Sequence, residues 1–193
     1  RRKLSSIMLT TKVHQWYCAV RKVCGPQKPF QQHDREDIRM ATTIVGETYL
    51  GETLVQSLSS SGDVTIYLWP LRCLNNKKGG PTFGIDVNGV EVIRFDPHGP
   101  GGHWHARGYD KLGAGGSHID FPEGMDEVEQ QLAWSLDQIR DETSQLLEDA
   151  GYLNEAKSID REMLNAATHA IDAHLVKEGD LRPQAIAQGA LEG

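Results

Sequence analysis

The sequence predicts an α+β domain, with a small antiparallel β-sheet over about residues 42–121 covered by a C-terminal pair of amphipathic helices, about 123–150 and 154–177. Three observations predict it. Short runs of β-branched and aromatic residues come first and apolar residues at three- and four-residue spacing come last, an order that gives a sheet with helical cover. Asn88-Gly89 separates two of the short runs, and both residues tolerate the positive φ of a type I′ hairpin turn. No period of 20–50 residues recurs, which excludes a solenoid.

A chain of 193 residues suits one domain with its own core, and 38% hydrophobic with 24% charged residues is a globular composition. The expected organisation is a basic, loosely attached or partly disordered arm over residues 1–39, a single domain over 40–179, and a flexible tail over 180–193. The charge is divided in the same way. Residues 1–39 hold nine Lys/Arg against three Asp/Glu, so the total of −7 leaves −13 on residues 40–193. So acidic a body disfavours long tracking along nucleic acid but leaves room for a small basic pocket. No run of eighteen apolar residues and no signal-like N-terminus is present, so the expectation is a cytoplasmic protein with no membrane partner. Cys18, Cys24 and Cys73 are odd in number and lack C-x-x-C spacing, which predicts reduced structural thiols.

The arm carries a weakly apolar run from Val13 to Val23, ended by Gly25-Pro-Gln-Lys-Pro29. From Thr42 onwards, strands are expected at 44–50, 63–69, 82–87 and 90–95. Leu50–Leu58 reads equally as strand or short helix, and Asn75–Gly80 as a polar loop. Ser117–Phe121 forms a last strand. Pro122 then opens a long helix with Glu123, Asp126 and Glu127 in its first turn, and Gly151 stops it. Ile159, Met163, Leu164, Ala167, Ile171 and Leu175 place a second helix on one apolar stripe.

Between the strands and the helices lies the densest set of functional side chains in the chain. Residues 94–122 hold four of the eight histidines with seven glycines. His103-Trp-His105 on extended backbone puts both imidazoles on one face and Trp104 on the other. Two co-facial imidazoles serve two chemistries. They can chelate a divalent metal, completed by His98 or His118 and by a carboxylate from Asp96, Asp110 or Asp120. Alternatively His103 and His105 act as general acid and base, with Arg94, Arg107 and Lys111 on a phosphate. Gly99-Pro-Gly-Gly102 supplies a reversal that returns His103 towards Asp96, and Gly113-Ala-Gly-Gly116 could cradle an anion. His14, His33, His169 and His174 lie outside this set.

His103-Trp-His105 with Asp110 is similar to the first metal motif of cupins, but the helical sequence beyond Phe121 excludes a cupin barrel. Val92-Ile-Arg-Phe-Asp-Pro-His98, the histidine cluster and the strand ending at Pro122 resemble the small bacterial TumE-type toxins, over about residues 82–140. The chain also resembles uncharacterised bacterial proteins with a Phe-Asp-x-His-Gly-Pro-Gly-Gly-His-x-His pattern. The toxin resemblance implies a toxin–antitoxin protein that cleaves RNA phosphodiesters. Two other classes stay open: a non-catalytic antitoxin or immunity protein whose acidic body meets a basic cognate protein, and a metal-binding hydrolase or oxygenase.

Overall fold

The structure is a computed structural model that describes residues 42–44 and 47–193, so the arm expected over residues 1–39 lies outside the described residues. Eight strands form one antiparallel sheet: β1 Thr42–Ile44, β2 Glu47–Leu50, β3 Leu54–Ser57, β4 Val64–Cys73, β5 Gly79–Val87, β6 Val90–Asp96, β7 His103–His105 and β8 His118–Asp120. Their order is β1-β2-β4-β5-β6-β7-β8, and β3 shares with β2 one side of the long β4. Asn88 (φ 53°) and Gly89 (φ 78°) turn β5 into β6 as expected, with Val87 opposite Val90. Leu50–Leu58 is strand on both sides of Gly51, and β5 begins at Gly79, inside the expected loop.

Alternation along the strands divides the sheet into an apolar and a polar face. Ile66, Leu68, Phe83, Ile85, Ile93 and Phe95 meet the helices on the apolar face. Two irregularities keep charged residues on the other. Between Trp69 and Arg72 lie two residues, Pro70 and Leu71, where β5 has only Pro81 between Thr82 and Gly80. The extra residue lets Trp69 and Arg72 share the polar face while Leu71 turns to the apolar one. Both prolines sit where the ladder asks for no donor. In β6, Val92 is the extra residue between Ile93, opposite Ile85, and Glu91, opposite Asp86. Val92 therefore enters the core, and Glu91 joins Arg94 and Asp96 on the polar face.

Among the described residues, five helices follow or interrupt the strands: α1 Tyr109–Ser117, α2 Val128–Asp149, α3 Leu153–Lys157, α4 Arg161–Glu178 and α5 Arg182–Ala187. α2 buries Leu136, Ile139, Leu146 and Leu147, and α4 buries Leu164, Ala167 and Ile171, against the apolar face. The expected helix pair is thus present with different bounds. α2 starts at Val128 because Gly124 takes φ 84° and Met125 N donates to Pro122 O, closing a turn first. The second helix is interrupted at Ser158–Asp160, where Ile159 bridges Ser59 and Asp160 N donates to Leu58 O. Asp160 then caps α4, its carboxylate accepting from Glu162 N and Met163 N.

Two expectations are corrected. Gly113–Gly116 is no cradling loop but part of α1, broken at Gly113, where φ is 66°. Residues 180–193 are no flexible tail: α5 brings Ala185, with Leu191 beyond it, onto Leu50, Leu71 and Cys73 as a second apolar cluster. No helix among the described residues is long and apolar enough to cross a membrane.

Candidate functional site

Register assembles the site. Across β6, β7 and β8, Arg94 lies opposite His105 and His105 opposite His118, while Asp96 lies opposite His103 and His103 opposite Asp120. Residues directly opposite point to one face, so two short rows carry three imidazoles, two carboxylates and a guanidinium. Trp104 turns to the apolar face and stacks on Phe95, with ring centroids 5.3 Å apart and planes 3° from parallel. Trp134 of α2 meets it edge-on at 5.4 Å.

Asp96, at 0% exposure, is the hub. Its Oδ1 accepts from Arg72 Nη1 (2.9 Å) and Thr82 Oγ1 (2.7 Å), and its Oδ2 from Arg94 Nε (2.9 Å). Burial alone would raise this carboxyl, but Arg94 and Arg72 outweigh it and hold Asp96 below the usual aspartate range. The network runs outward on both sides. Arg72 grips Glu47 through Nε (2.9 Å) and Nη2 (2.6 Å), and Glu47 also accepts from Tyr49, whose ring packs on Trp69 at 3.9 Å. Arg94 Nη1 reaches Glu91 (3.1 Å), which accepts from Tyr67 at 2.8 Å. Gly84 lies between Tyr67 and Arg94, and a Cβ there would strike the Ile93 carbonyl oxygen and come within 2.8 Å of the Tyr67 hydroxyl.

The four histidines are not equivalent. Thr82 gives its proton to Asp96, so its oxygen accepts from His98 Nε2 at 3.2 Å. His98 is buried and pushed down to about 4 by desolvation, and its Nδ1 has no partner among the described residues. His105 is buried too, and burial followed by Arg94 pushes it down to about 4. Burial also lowers His103, whose Nε2 is 3.5 Å from Asp96 Oδ2. His118 is exposed, 3.1 Å from the Asp120 carboxylate, and stacks on His103 with centroids 4.5 Å apart.

His103, His105 and His118 each offer one nitrogen, and these lie within 4.8 Å of one another. They are the one such group of three among the described residues. Three residues expected to ligate a metal are engaged otherwise: His98 by Thr82, Asp96 by two arginines and Thr82, and Asp110 by the Tyr152 hydroxyl at 2.7 Å. Of the cations expected on a phosphate, Arg94 is in the site. Lys111 is not: its ammonium donates to Ala150 O and lies 4.0 Å from the Tyr152 ring centroid, at the corner where α2 meets α3. Arg107, two residues after His105, is exposed, at φ 62°.

Several positions carry the site without having stood out in the sequence. Gln131, 2% exposed on α2, binds both backbone groups of Gly99, with Gly99 N to Oε1 at 3.0 Å and Nε2 to Gly99 O at 2.8 Å, so it clamps the histidine loop to the helix layer. Gly102 leaves room for that amide. Tyr109 packs its ring on His105 (4.9 Å) and under the Arg94 guanidinium (4.5 Å). Arg72 and Glu91 depend on the two irregularities, whose sequence signal is a pair of adjacent apolar residues in an alternating run.

The chain matches no protein-family model, no curated protein and no solved structure.

Proposed function

We propose that the protein is a hydrolase that cleaves RNA phosphodiesters with a divalent transition-metal ion held by His103, His105 and His118. The observation that carries this reading is the convergence of three imidazole nitrogens within 4.8 Å on one face of two adjacent strands. Burial supports it, because His103 and His105 are disposed to stay neutral and only the neutral imidazole has a lone pair to give. His103, His105 and His118 would hold the ion, with their nitrogens closing from within 4.8 Å of one another on binding. Arg94 Nη2 lies 3.1 Å from His105 Nε2 and would yield that place to the ion, while Nε and Nη1 hold Asp96 and Glu91.

The bound metal supplies a water acidic enough to ionise near neutral pH. The protein's own groups do the rest. Arg72 and Arg94 against four carboxylates, Glu47, Glu91, Asp96 and Asp120, leave the site formally at −2, so a dication brings it to neutrality and removes its repulsion of a phosphodiester anion. Exposed Arg107, two residues after His105 in the chain, is the cation proposed for the substrate's phosphate. The resemblance of Arg94-Phe-Asp96 and the histidine cluster to TumE-type toxins supports RNA as the substrate.

The test is cleavage of labelled RNA by protein purified without a histidine tag, beside elemental analysis. Bound metal near one equivalent is expected, with cleavage abolished by chelation and by His103→Ala/His105→Ala. Cleavage that survives chelation but not the double substitution would instead establish metal-free acid–base chemistry by these two histidines. Metal retention with intact RNA would redirect the hydrolase to another substrate.

A further inference from the structure

We infer that Ser117 is a positioning residue that sets the tautomer of His105 and so presents Nε2 as a ligand; the ligand role rests on the metal reading above. Ser117 closes α1 at 0% exposure, and its hydroxyl lies 3.0 Å from His105 Nδ1. A serine hydroxyl has one proton. Here it goes to the Gly113 carbonyl oxygen at 2.6 Å, four residues back along α1. Ser117 Oγ can therefore only accept from His105, which puts the imidazole proton on Nδ1. The other side of the ring gives the same answer independently. A guanidinium has no acceptor, so Arg94 Nη2, 3.1 Å from His105 Nε2, must donate to it, and Nε2 carries the lone pair. Both neighbours select the tautomer that ligation through Nε2 requires.

The local fold holds Ser117 in this role. Ala106 N donates to Ser117 O at 3.2 Å, tying the end of α1 to the residue after His105. At the other end, Tyr109 packs on the same imidazole. Gly113 takes φ 66° with no atom within 4 Å of a would-be Cβ, so glycine is there for backbone conformation and not for want of space. Its break in α1 accompanies the carbonyl that takes the Ser117 proton. Partners of this kind, which hold the far nitrogen of a ligating histidine, change metal affinity by about 10–100-fold when removed.

The test uses metal-free full-length protein with ¹⁵N-labelled histidine. Long-range ¹H–¹⁵N spectra, assigned with a His105→Gln variant, should show wild-type His105 protonated on Nδ1 and, because Arg94 still donates to Nε2, a raised minority of the Nε2–H form in Ser117→Ala. Zinc affinity, read by competition with a chromophoric chelator, should fall by about 10–100-fold in Ser117→Ala. A wild-type His105 protonated on Nε2 overturns the inference without recourse to any variant that must fold. So does a Ser117→Ala protein whose zinc affinity stays within about twofold of wild type, far below the change such partners produce. A wild type that binds no zinc, yet shows the Nδ1–H form and loses part of it in Ser117→Ala, upholds the positioning and overturns the metal reading instead.

Discussion

Asp86 faces Glu91 across β5 and β6, and one of its carboxyl oxygens is buried with no hydrogen-bond partner among the described residues. Burial, with Glu91 adding to it, pushes this carboxyl up to about 7. A folded-state pKa above the unfolded one means that the fold prefers the protonated form. Its contribution is therefore full below about pH 4 and lost as pH rises through about 7. Asp86→Asn removes the ionisation. The variant should match wild type below about pH 4 and gain on it as pH rises, to a difference of about 3–4 kcal/mol at pH 8 in urea unfolding; a difference that does not change with pH would count against this account. Asp86 also shows what single residues conceal. The co-facial His103 and His105 were legible because a period of two says where side chains point. Ser117, Gln131 and Thr82 were not, because a lone small polar residue looks the same in sequence whether it faces solvent or completes a buried network.

At the scale of elements, β5 and β6 carry the clearest lesson. The hairpin was legible from Asn88-Gly89, while the extra residues in β4 and β6 were not. Pro70-Leu71 and Val92-Ile93 break alternation by one position, and an interrupted alternation does not say which side of the interruption slips. Yet these two places bring Arg72 and Glu91 to Asp96 and Arg94. The close approach they create falls on Gly84. Gly84→Ala should cost about 3 kcal/mol, because the methyl group would run into the Ile93 backbone, which cannot move without parting the strands. Chemical denaturation measures the loss, and a cost under about 0.5 kcal/mol would show that the strands separate easily there. The extent of α1 was likewise hidden, since four glycines in the nine residues from Gly108 to Gly116 argue for a loop. The helix forms where Tyr109 and Ser117 are both held by His105.

Across the whole molecule, the α+β layering followed from the order of strand-like and helix-like runs, and the structure has it. The C-terminal segment did not follow. Its small and polar residues bury little individually, but Ala185 and Leu191 close over Leu50, Leu71 and Cys73, and such complementarity exists only once the sheet edge is formed. Truncation after Gly179 should lower stability by about 3 kcal/mol. In a Cys18→Ser/Cys24→Ser background it should also open Cys73, buried at 3% exposure, to a thiol reagent that the full chain resists. Unchanged protection of Cys73 would show that α5 is dispensable as a cover.

Residues 103–105 have a consequence for inheritance. One strand of three residues serves both faces: its outer two face the polar side and its middle one stacks between Phe95 and Trp134. Variation at Trp134, whose ring meets Trp104, therefore passes to the imidazoles through the middle residue of that strand. Natural selection for the chemistry of the histidines would leave its trace on an aromatic ring in the helix layer, and descendants that shed the histidines would be free to lose that ring as well.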